Sequence, residues 1–233
     1  MTEPPTSRVL WPDARRIISS RFPPIDLFED IADPADWPLL LAAEQKTNPR
    51  LAETIGALDL VPPARRASGP GASWLMAPFT HVSPDRPSRF SAGSYGVLYV
   101  ARDFDTALAE TIHHYSRFMA ATRQPPGWAA QFRELVIRLD ATLHDLRTAA
   151  DFAAALDPDD YAEAQALGAA LRAAGADGVV YPSQRHRGGE CAGTFYPDCL
   201  RAPMQGRHLD YHWDGRRVDY CRDLTNRQVY RVV

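Results

Sequence analysis

One amphipathic helix between two strand-like segments most constrains the fold of this 233-residue chain. Over residues 104–122, apolar side chains recur at i, i+4, i+7 and i+11 from Leu108 to Met119, after an aspartate cap at Asp103 or Asp105. The segments YGVLYVA before it and AQFRELVIRLD after it have the apolar and β-branched content of strands. A helix with one apolar face must pack on such strands, so the sequence predicts an α+β fold.

Further segments extend this pattern towards both ends of the chain. SWLMAPFTHV predicts another strand, and a second helix over residues 159–174 ends at Gly175 before the short buried strand of GADGVVYPS. In HLDYHWDGRRVDYC, Asp214-Gly215 lies between two alternating runs and predicts a two-residue hairpin turn, and RQVYRVV supplies a last strand. We therefore expect a mixed, largely antiparallel sheet with flanking helices.

The first 72 residues differ from the rest. A Pro-Pro segment precedes an apolar periodic stretch over residues 37–44, which Asp33 or Asp36 would cap, and VPPARRASGPGAS then has the composition of a linker. Residues 1–72 are thus predicted to be a helical N-terminal extension and linker, and residues 73–233 the main domain.

Composition and charge exclude several classes of protein. The chain has 45% apolar and 24% charged residues, as ordinary globular proteins do, and a net charge of −3 lacks the cation surplus of a general nucleic-acid binder. The sequence lacks an apolar run near the roughly 20 residues of a membrane span and an N-terminal signal core, so we expect a cytoplasmic protein. The C-terminal quarter has a local surplus of basic side chains, which fits either a small anionic ligand or a scattered solvated surface.

Cysteine and histidine residues give no sign of a metal site. The three cysteines form no CxxC pair, and their odd number does not indicate a disulfide framework, so reduced thiols are expected. The C-terminal part of the chain contains five residues of types that bind zinc, but their spacings match no zinc module. They are His186, Cys191, Cys199, His208 and His212. We expect no bound metal.

Four polar residues remain as candidates for chemistry, because the chain has no nucleophile elbow, P-loop, dinucleotide fingerprint or zinc-protease helix. Glu110 lies off the apolar stripe of its helix, Tyr99 lies in a strand, Arg89 precedes a small-residue turn, and Ser183 follows a buried strand. Spacing alone is equally compatible with a solvated glutamate, a packed tyrosine, a surface arginine and a turn hydroxyl.

The stretch from Arg89 to Glu110, with GADGVVYPSQR some 70 residues later, resembles the RES-domain family, the toxin components of bacterial toxin-antitoxin pairs. Arg89 matches the family's arginine, Tyr99 its strand aromatic, Glu110 its helical glutamate and Ser183 its late serine, while Arg21 looks like a further arginine of longer members. The resemblance covers about residues 73–196. The family's Gly-Gly-Arg-Trp-Asn is here Pro-Ser-Arg-Phe-Ser, which changes the expected turn around the arginine.

This resemblance implies a fold like that of ADP-ribosyltransferases and cleavage of the nicotinamide-ribose bond of NAD+, which is consumed as a substrate and is not a resident cofactor. Glu110 would be the catalytic residue, and Arg21, Arg89, Tyr99 and Ser183 would bind NAD+. The acceptor of ADP-ribose stays open between a protein, water and phosphate; we favour a protein because the N-terminal extension adds surface.

The resemblance also implies a partner. We expect an antitoxin with a helix-turn-helix DNA-binding domain, which would bind the toxin and supply the contact with DNA. Its acidic tail could enter a cleft carrying Arg21, Arg89 and the 185–187 stretch unpaired. The alternative to an enzyme is an interaction module without catalytic activity, whose cleft only docks a partner.

Overall fold

The computed structural model describes residues 3–20, 37 and 56–232. In these ranges the α-helices are α1 (Ala72–Thr80), α2 (Phe104–Ala120) and α3 (Ala162–Ala173). The strands are β1 (Thr6–Ser19), β2 (Leu98–Ala101), β3 (Gly127–Asp145), β4 (Gly178–Pro182), β5 (Glu190–Thr194), β6 (Leu200–Trp213), β7 (Val218–Asp223) and β8 (Val229–Arg231). Short 3-10 helices occupy Leu58–Leu60, Pro63–Arg65, Ala150–Leu156 and Pro197–Cys199.

The eight strands form one sheet in the order β1-β2-β5-β4-β3-β6-β7-β8. Its longest strand, β3, pairs along one edge with β1 and along the other with β6 and then, at His144 and Asp145, with β4. The β3–β4 pairing is parallel and the other pairings among the described strands are antiparallel. The predicted mixed α+β fold with a largely antiparallel sheet is therefore confirmed.

The sheet separates two apolar clusters. Val180 belongs to the first cluster, whereas its neighbours Val179 and Tyr181 belong to the second, because alternate side chains of a strand point to opposite faces. Helix α1 packs on the first cluster through Leu75, and α2 packs on the second through Ile112. Helix α2 thereby contacts β1, β2 and β7.

Most predicted elements are confirmed. Helix α2 begins after Asp103, whose side chain accepts the backbone N–H of Thr106, and its apolar stripe is buried as expected. Helix α3, β2, β3, β4 and β8 also lie where the pattern placed them. The β6–β7 hairpin is present, but its loop comprises residues 214–217, where the Asp214 carboxylate accepts the backbone N–H groups of Arg216 and Arg217.

Two expectations are wrong. The predicted strand at residues 73–82 is helix α1, in which Ala72, Leu75, Met76 and Phe79 are buried at helical spacing. The predicted helical extension instead contains β1, a strand whose alternation is broken by an irregularity between Trp11 and Ala14. Such a bulge shifts the side-chain period and hides the strand from a periodicity search. The helix expected over residues 37–44 lies outside the described residues, apart from the buried Trp37.

Candidate active site

A cleft with a volume of about 640 Å³ opens beside the N-terminal half of α2. Its lining comes from β1, β2, α2, β4, β5 and the loop before β2, and includes Arg89, Tyr99 and Glu110. Ser183 touches Glu110 from the end of β4. The fold thus brings together four of the five candidate residues, and Arg21 lies outside the described residues.

Glu110 is held by a hydroxyl from a distant part of the chain. Ser183 Oγ donates to Glu110 Oε1 at 2.6 Å, and the same Oγ accepts the backbone N–H groups of Arg185 and His186 at 3.1 and 3.0 Å. A serine hydroxyl has one proton and two lone pairs, so these three bonds use its full capacity. In this structure Ser183 has no hydrogen bond left for a ligand, whereas the Glu110 side chain keeps 24% of its surface exposed.

The loop after Ser183 is tied to the start of α2. The His186 ring Nδ1 lies 2.8 Å from Thr106 Oγ1, which also donates to Asp103 Oδ2 at 2.9 Å. Asp103 is the helix cap, so this chain of contacts fixes the loop to the first turn of the helix that carries Glu110. Both ends of the Ser183–Glu110 bond are thereby anchored.

Neutral side chains surround Glu110 on its buried side. Cys191 Sγ lies 3.8 Å from Glu110 Oε1, and burial, followed by the charge of Glu110, raises the pKa of this thiol. Burial also raises the pKa of Tyr181 well above its usual value. Neither group ionises near neutral pH, so neither adds a charge to this wall of the cleft.

Two histidines on α2 stay neutral beside this carboxylate. His114 Nε2 lies 3.9 Å from Glu110 Oε2, and burial lowers the pKa of His114 more than the glutamate raises it. Burial, with the charges of Arg185 and Arg117, lowers the pKa of His113 to about 4. Neither of these two imidazoles therefore supplies a positive charge to Glu110 at neutral pH.

Arg89 is buried, with 8% of its surface exposed, and its guanidinium is bound to neutral groups. Nη1 donates to the backbone carbonyls of Asp157 and Ala155 at 2.6 and 3.4 Å, and the guanidinium lies 4.5 Å from the ring centre of Tyr161. These contacts fix the side chain without cancelling its charge. The expectation of an unpaired Arg89 is therefore wrong for hydrogen bonding, although its positive charge remains at the cleft.

Tyr99 holds the turn that carries Arg89. Its hydroxyl donates to Ser88 Oγ at 2.9 Å and accepts the backbone N–H of Phe90 at 2.9 Å, while Ser88 and Ser91 form an isolated antiparallel bridge. Burial raises the pKa of Tyr99 to about 12. The departure from the family's turn sequence is thus compatible with an ordered turn here, closed by the tyrosine.

The sequence analysis missed two arginines of the cleft. Arg16, on β1, donates from Nη1 to the backbone carbonyl of Tyr99 at 2.8 Å, and burial lowers its pKa to about 10, which leaves it charged at neutral pH. Its neighbour Arg15 forms an ion pair with the buried Glu134 at 3.0 Å. The adjacent arginines inside the apolar run of β1 were the available signal, which the expectation of a helical extension concealed.

Arg185 is also engaged rather than unpaired. Nη2 donates to the Pro158 carbonyl at 2.5 Å and lies 4.0 Å from the exposed carboxylate of Asp159.

Within the described ranges no cluster of three or more His, Cys, Asp or Glu side chains is arranged to hold a metal ion. The same ranges contain no helix of the length and hydropathy required to cross a membrane.

Comparison with known families identifies the domain that contains these residues. The RES domain matches residues 63–214, a span that includes Arg89, Tyr99, Glu110 and Ser183. The chain is a member of the RES-domain family. A relative of this RES-domain chain, the uncharacterized protein y4oC of Sinorhizobium fredii (strain NBRC 101917 / NGR234), is 30% identical over 221 residues, which cover 92% of this chain and 89% of the relative.

Among solved structures, the chain is similar to one from the M. tuberculosis MbcT-MbcA toxin-antitoxin complex, with a TM-score of 0.44 and 14% identity. The similarity covers 88% of this chain and 86% of the other. A TM-score of this size reflects a partial similarity of folds, so nothing about the activity of the RES-domain chain follows from it.

Proposed function

We propose that this RES-domain protein is the toxin of a toxin-antitoxin pair, and that it cleaves the nicotinamide-ribose bond of NAD+ and transfers ADP-ribose to a protein. The observation that carries the proposal is the ionisable Glu110 carboxylate, oriented by Ser183 at 2.6 Å in a cleft that also holds Arg16 and Arg89. A volume of about 640 Å³ is in the range of sites for ligands of this size.

Glu110 would act on the ribose. As the bond from ribose C1′ to the nicotinamide nitrogen breaks, its electron pair leaves with neutral nicotinamide, and positive charge develops on the ribose. A fixed carboxylate stabilises such an oxocarbenium-like state, because its negative charge is already in place when the positive charge appears. A nucleophile on the acceptor then bonds to C1′, and its proton passes through Glu110 to solvent.

The cleft arginines would bind the pyrophosphate. Arg16 and Arg89 are held by neutral carbonyls, so each keeps a positive charge and a planar set of donors for an anionic ligand. Arg21, to which the family resemblance gives the same role, stays part of this proposal, and Arg16 is added to it. Tyr99 would line the nicotinamide end with its ring, and Ser183 would orient Glu110 rather than contact NAD+.

The remaining family expectations belong to the same proposal. The sheet would be a variant of the ADP-ribosyltransferase fold, and the partner an antitoxin with a helix-turn-helix domain that blocks the cleft. Transfer to water or phosphate would use the same bond-breaking step and would make the protein a glycohydrolase or a phosphorylase. A module without catalytic activity would not require a carboxylate that Ser183 holds in one orientation.

The test is nicotinamide release from NAD+ by the purified protein, with Glu110→Gln as the decisive variant. Loss of a preorganised electrostatic stabiliser lowers kcat by about 10²- to 10³-fold, and the isosteric amide should leave the Tm nearly unchanged. Glu163→Gln, on the exposed part of α3, is the matched control. Equal turnover by wild type and Glu110→Gln would refute the catalytic assignment; binding of NAD+ without release would favour the non-enzymatic module.

A further inference from the structure

A second groove, with a volume of about 960 Å³, lies next to the catalytic cleft. It runs between α2, the end of β1 and the start of β3, and half of its twelve lining residues are alanine, phenylalanine, tyrosine or tryptophan. Tyr115 and Phe132 are in edge contact in the groove, with ring centres 5.1 Å apart, and Phe118 and Trp128 also line it. The proposed chemistry at Glu110 uses none of these four rings.

Two of these aromatic side chains are unusually exposed. Phe118 has 57% of its surface exposed and Trp128 has 46%, although aromatic residues are usually buried when a fold offers them a place. Exposed apolar groups gathered in one concave site, rather than scattered singly, are typical of a surface that another molecule covers. Aromatic rings at such a site are also the side chains that most often dominate a protein interface.

The charges around the groove favour an acidic partner. Asp210 is the one acidic residue of the groove's described lining, and it is buried and paired with Arg222 at 2.6 Å. The Arg222 guanidinium lies 4.1 Å from the ring centre of Trp128. Arg117, the residue before Phe118 on α2, is exposed and lines the adjoining catalytic cleft. Arg222 and Asp210 balance each other's charge, so the groove itself is close to neutral, and the exposed Arg117 adds a positive charge on its cleft side. This arrangement complements a segment that carries an apolar side chain flanked by acidic ones.

The groove is continuous with the catalytic cleft. Thr111 and His114, one and four residues after Glu110 on α2, line both spaces. A chain bound between Phe118 and Trp128 would therefore lie within a few side chains of the carboxylate. Such a chain could place one of its own nucleophilic side chains in the cleft, while the remaining cleft stays open to NAD+.

We propose that this groove, formed by Tyr115, Phe118, Trp128 and Phe132, docks the protein that accepts ADP-ribose, through a segment with an apolar anchor and acidic neighbours. The inference rests on the proposed function and specifies its acceptor. The location favours an acceptor over an occluding antitoxin, because an occluding chain has to fill the cleft of Arg16 and Glu110 rather than the adjoining groove. Water and phosphate need no groove of this size.

The experiment compares Phe118→Ala and Trp128→Ala with a matched control, Met204→Ala. Met204 is 62% exposed on β6 and lines neither space, so its replacement also removes an exposed apolar side chain. Each protein is incubated with NAD+ labelled on the adenine ring, first alone and then with a bacterial lysate. Nicotinamide release, labelled protein and Tm are measured.

We expect the two groove variants to release nicotinamide without lysate within about twofold of wild type, and to label protein at least about tenfold more slowly, since an interface anchor is commonly worth that factor. Met204→Ala should match wild type in both assays. Unchanged labelling by the groove variants would overturn the inference, as would a raised KM for NAD+, which would make the groove part of the NAD+ site.

Two further outcomes separate the inference from the proposed function. If wild type releases nicotinamide but labels no protein, NAD+ cleavage stands and the acceptor groove is refuted. If wild type releases no nicotinamide at all, the proposed function fails and the inference falls with it. A last outcome concerns the antitoxin. If the groove variants label protein at the wild-type rate but a co-expressed antitoxin no longer neutralises them, the groove binds the antitoxin, and the acceptor assignment is overturned.

Discussion

Replacing Ser183 with alanine separates two roles for this residue. The Ser183 hydroxyl donates its hydrogen bond to Glu110 Oε1 at 2.6 Å, and its two lone pairs accept the N–H groups of Arg185 and His186. A residue that touches NAD+ would raise KM when it is removed, whereas a residue that orients the catalytic carboxylate would lower kcat. The structure favours the second effect, because no hydrogen bond of the hydroxyl is left for a ligand.

The expected size follows from the bond that is lost. A hydrogen bond to a charged group contributes about 1.5–3 kcal/mol, and each 1.4 kcal/mol corresponds to about tenfold in a rate or equilibrium constant. If most of that energy serves to fix Glu110, Ser183→Ala should lower kcat for nicotinamide release by about 10- to 100-fold and change KM for NAD+ by less than about threefold. Ser183→Thr keeps the hydroxyl and should restore much of the lost rate.

A matched control is available on α2, the helix that carries Glu110. Ser116 Oγ, on α2, accepts the backbone N–H of Val218 at 3.0 Å and lines neither the cleft nor the groove. Ser116→Ala therefore removes a comparable hydroxyl and should reproduce any loss of Tm without the loss of kcat. A Ser183→Ala protein with unchanged kcat and a raised KM would show that the serine contacts NAD+ and would refute the positioning role.

Two other perturbations test the site from different directions. Arg89→Ala should raise KM for NAD+ more than it lowers kcat, and should also lower the Tm, because two backbone carbonyls lose their donor; an Arg89→Ala protein with wild-type KM would exclude contact with the pyrophosphate. His113 has a pKa lowered to about 4, mainly by burial, and its Nε2 is buried with no hydrogen-bond partner among the described residues. The unfolded chain binds this proton near pH 6.5 and the folded chain only near pH 4, so stability should be complete above about pH 6.5 and fall as the pH drops towards 4. His113→Gln should weaken that fall in Tm-against-pH curves, and parallel curves for both proteins would contradict the assignment.

The parts of the site on α2 could be predicted because a helix has a single period. Once Leu108 and Ile112 were assigned to the apolar stripe, the cap was narrowed to Asp103 or Asp105, and Glu110 fell off the stripe. The structure has Asp103 as the cap and buries Leu108 and Ile112. Tyr99, in a strand next to this helix, followed from the same local pattern. The periodicity of apolar residues and the capping residue were thus sufficient to predict the helix and its neighbouring strand without any tertiary information.

The rest depends on contacts between distant residues, which periodicity does not report. The Ser183–Glu110 bond joins residues 73 positions apart, and the contact of Arg16 with the Tyr99 carbonyl joins residues 83 positions apart. Strand β1 was hidden by its irregularity after Trp11, so Arg16 was missed. The role of Ser183 depends on the positions of the Glu110 carboxylate and of the backbone N–H groups of Arg185 and His186, which only the folded structure supplies.

The way in which the cleft arginines are held bears on how an antitoxin could neutralise the protein. Arg15 is paired with the carboxylate of Glu134, so its charge is cancelled locally, but Arg16 and Arg89 are held by uncharged carbonyls. Hydrogen bonds to carbonyls restrict a guanidinium without neutralising it, so the cleft keeps a positive field with little conformational entropy left to lose on binding. A pyrophosphate and an acidic antitoxin tail would both gain from that field, and could not occupy it together. Under the proposed function, we therefore expect NAD+ and an acidic antitoxin tail to compete for Arg16 and Arg89, because the two carbonyl contacts leave both charges available.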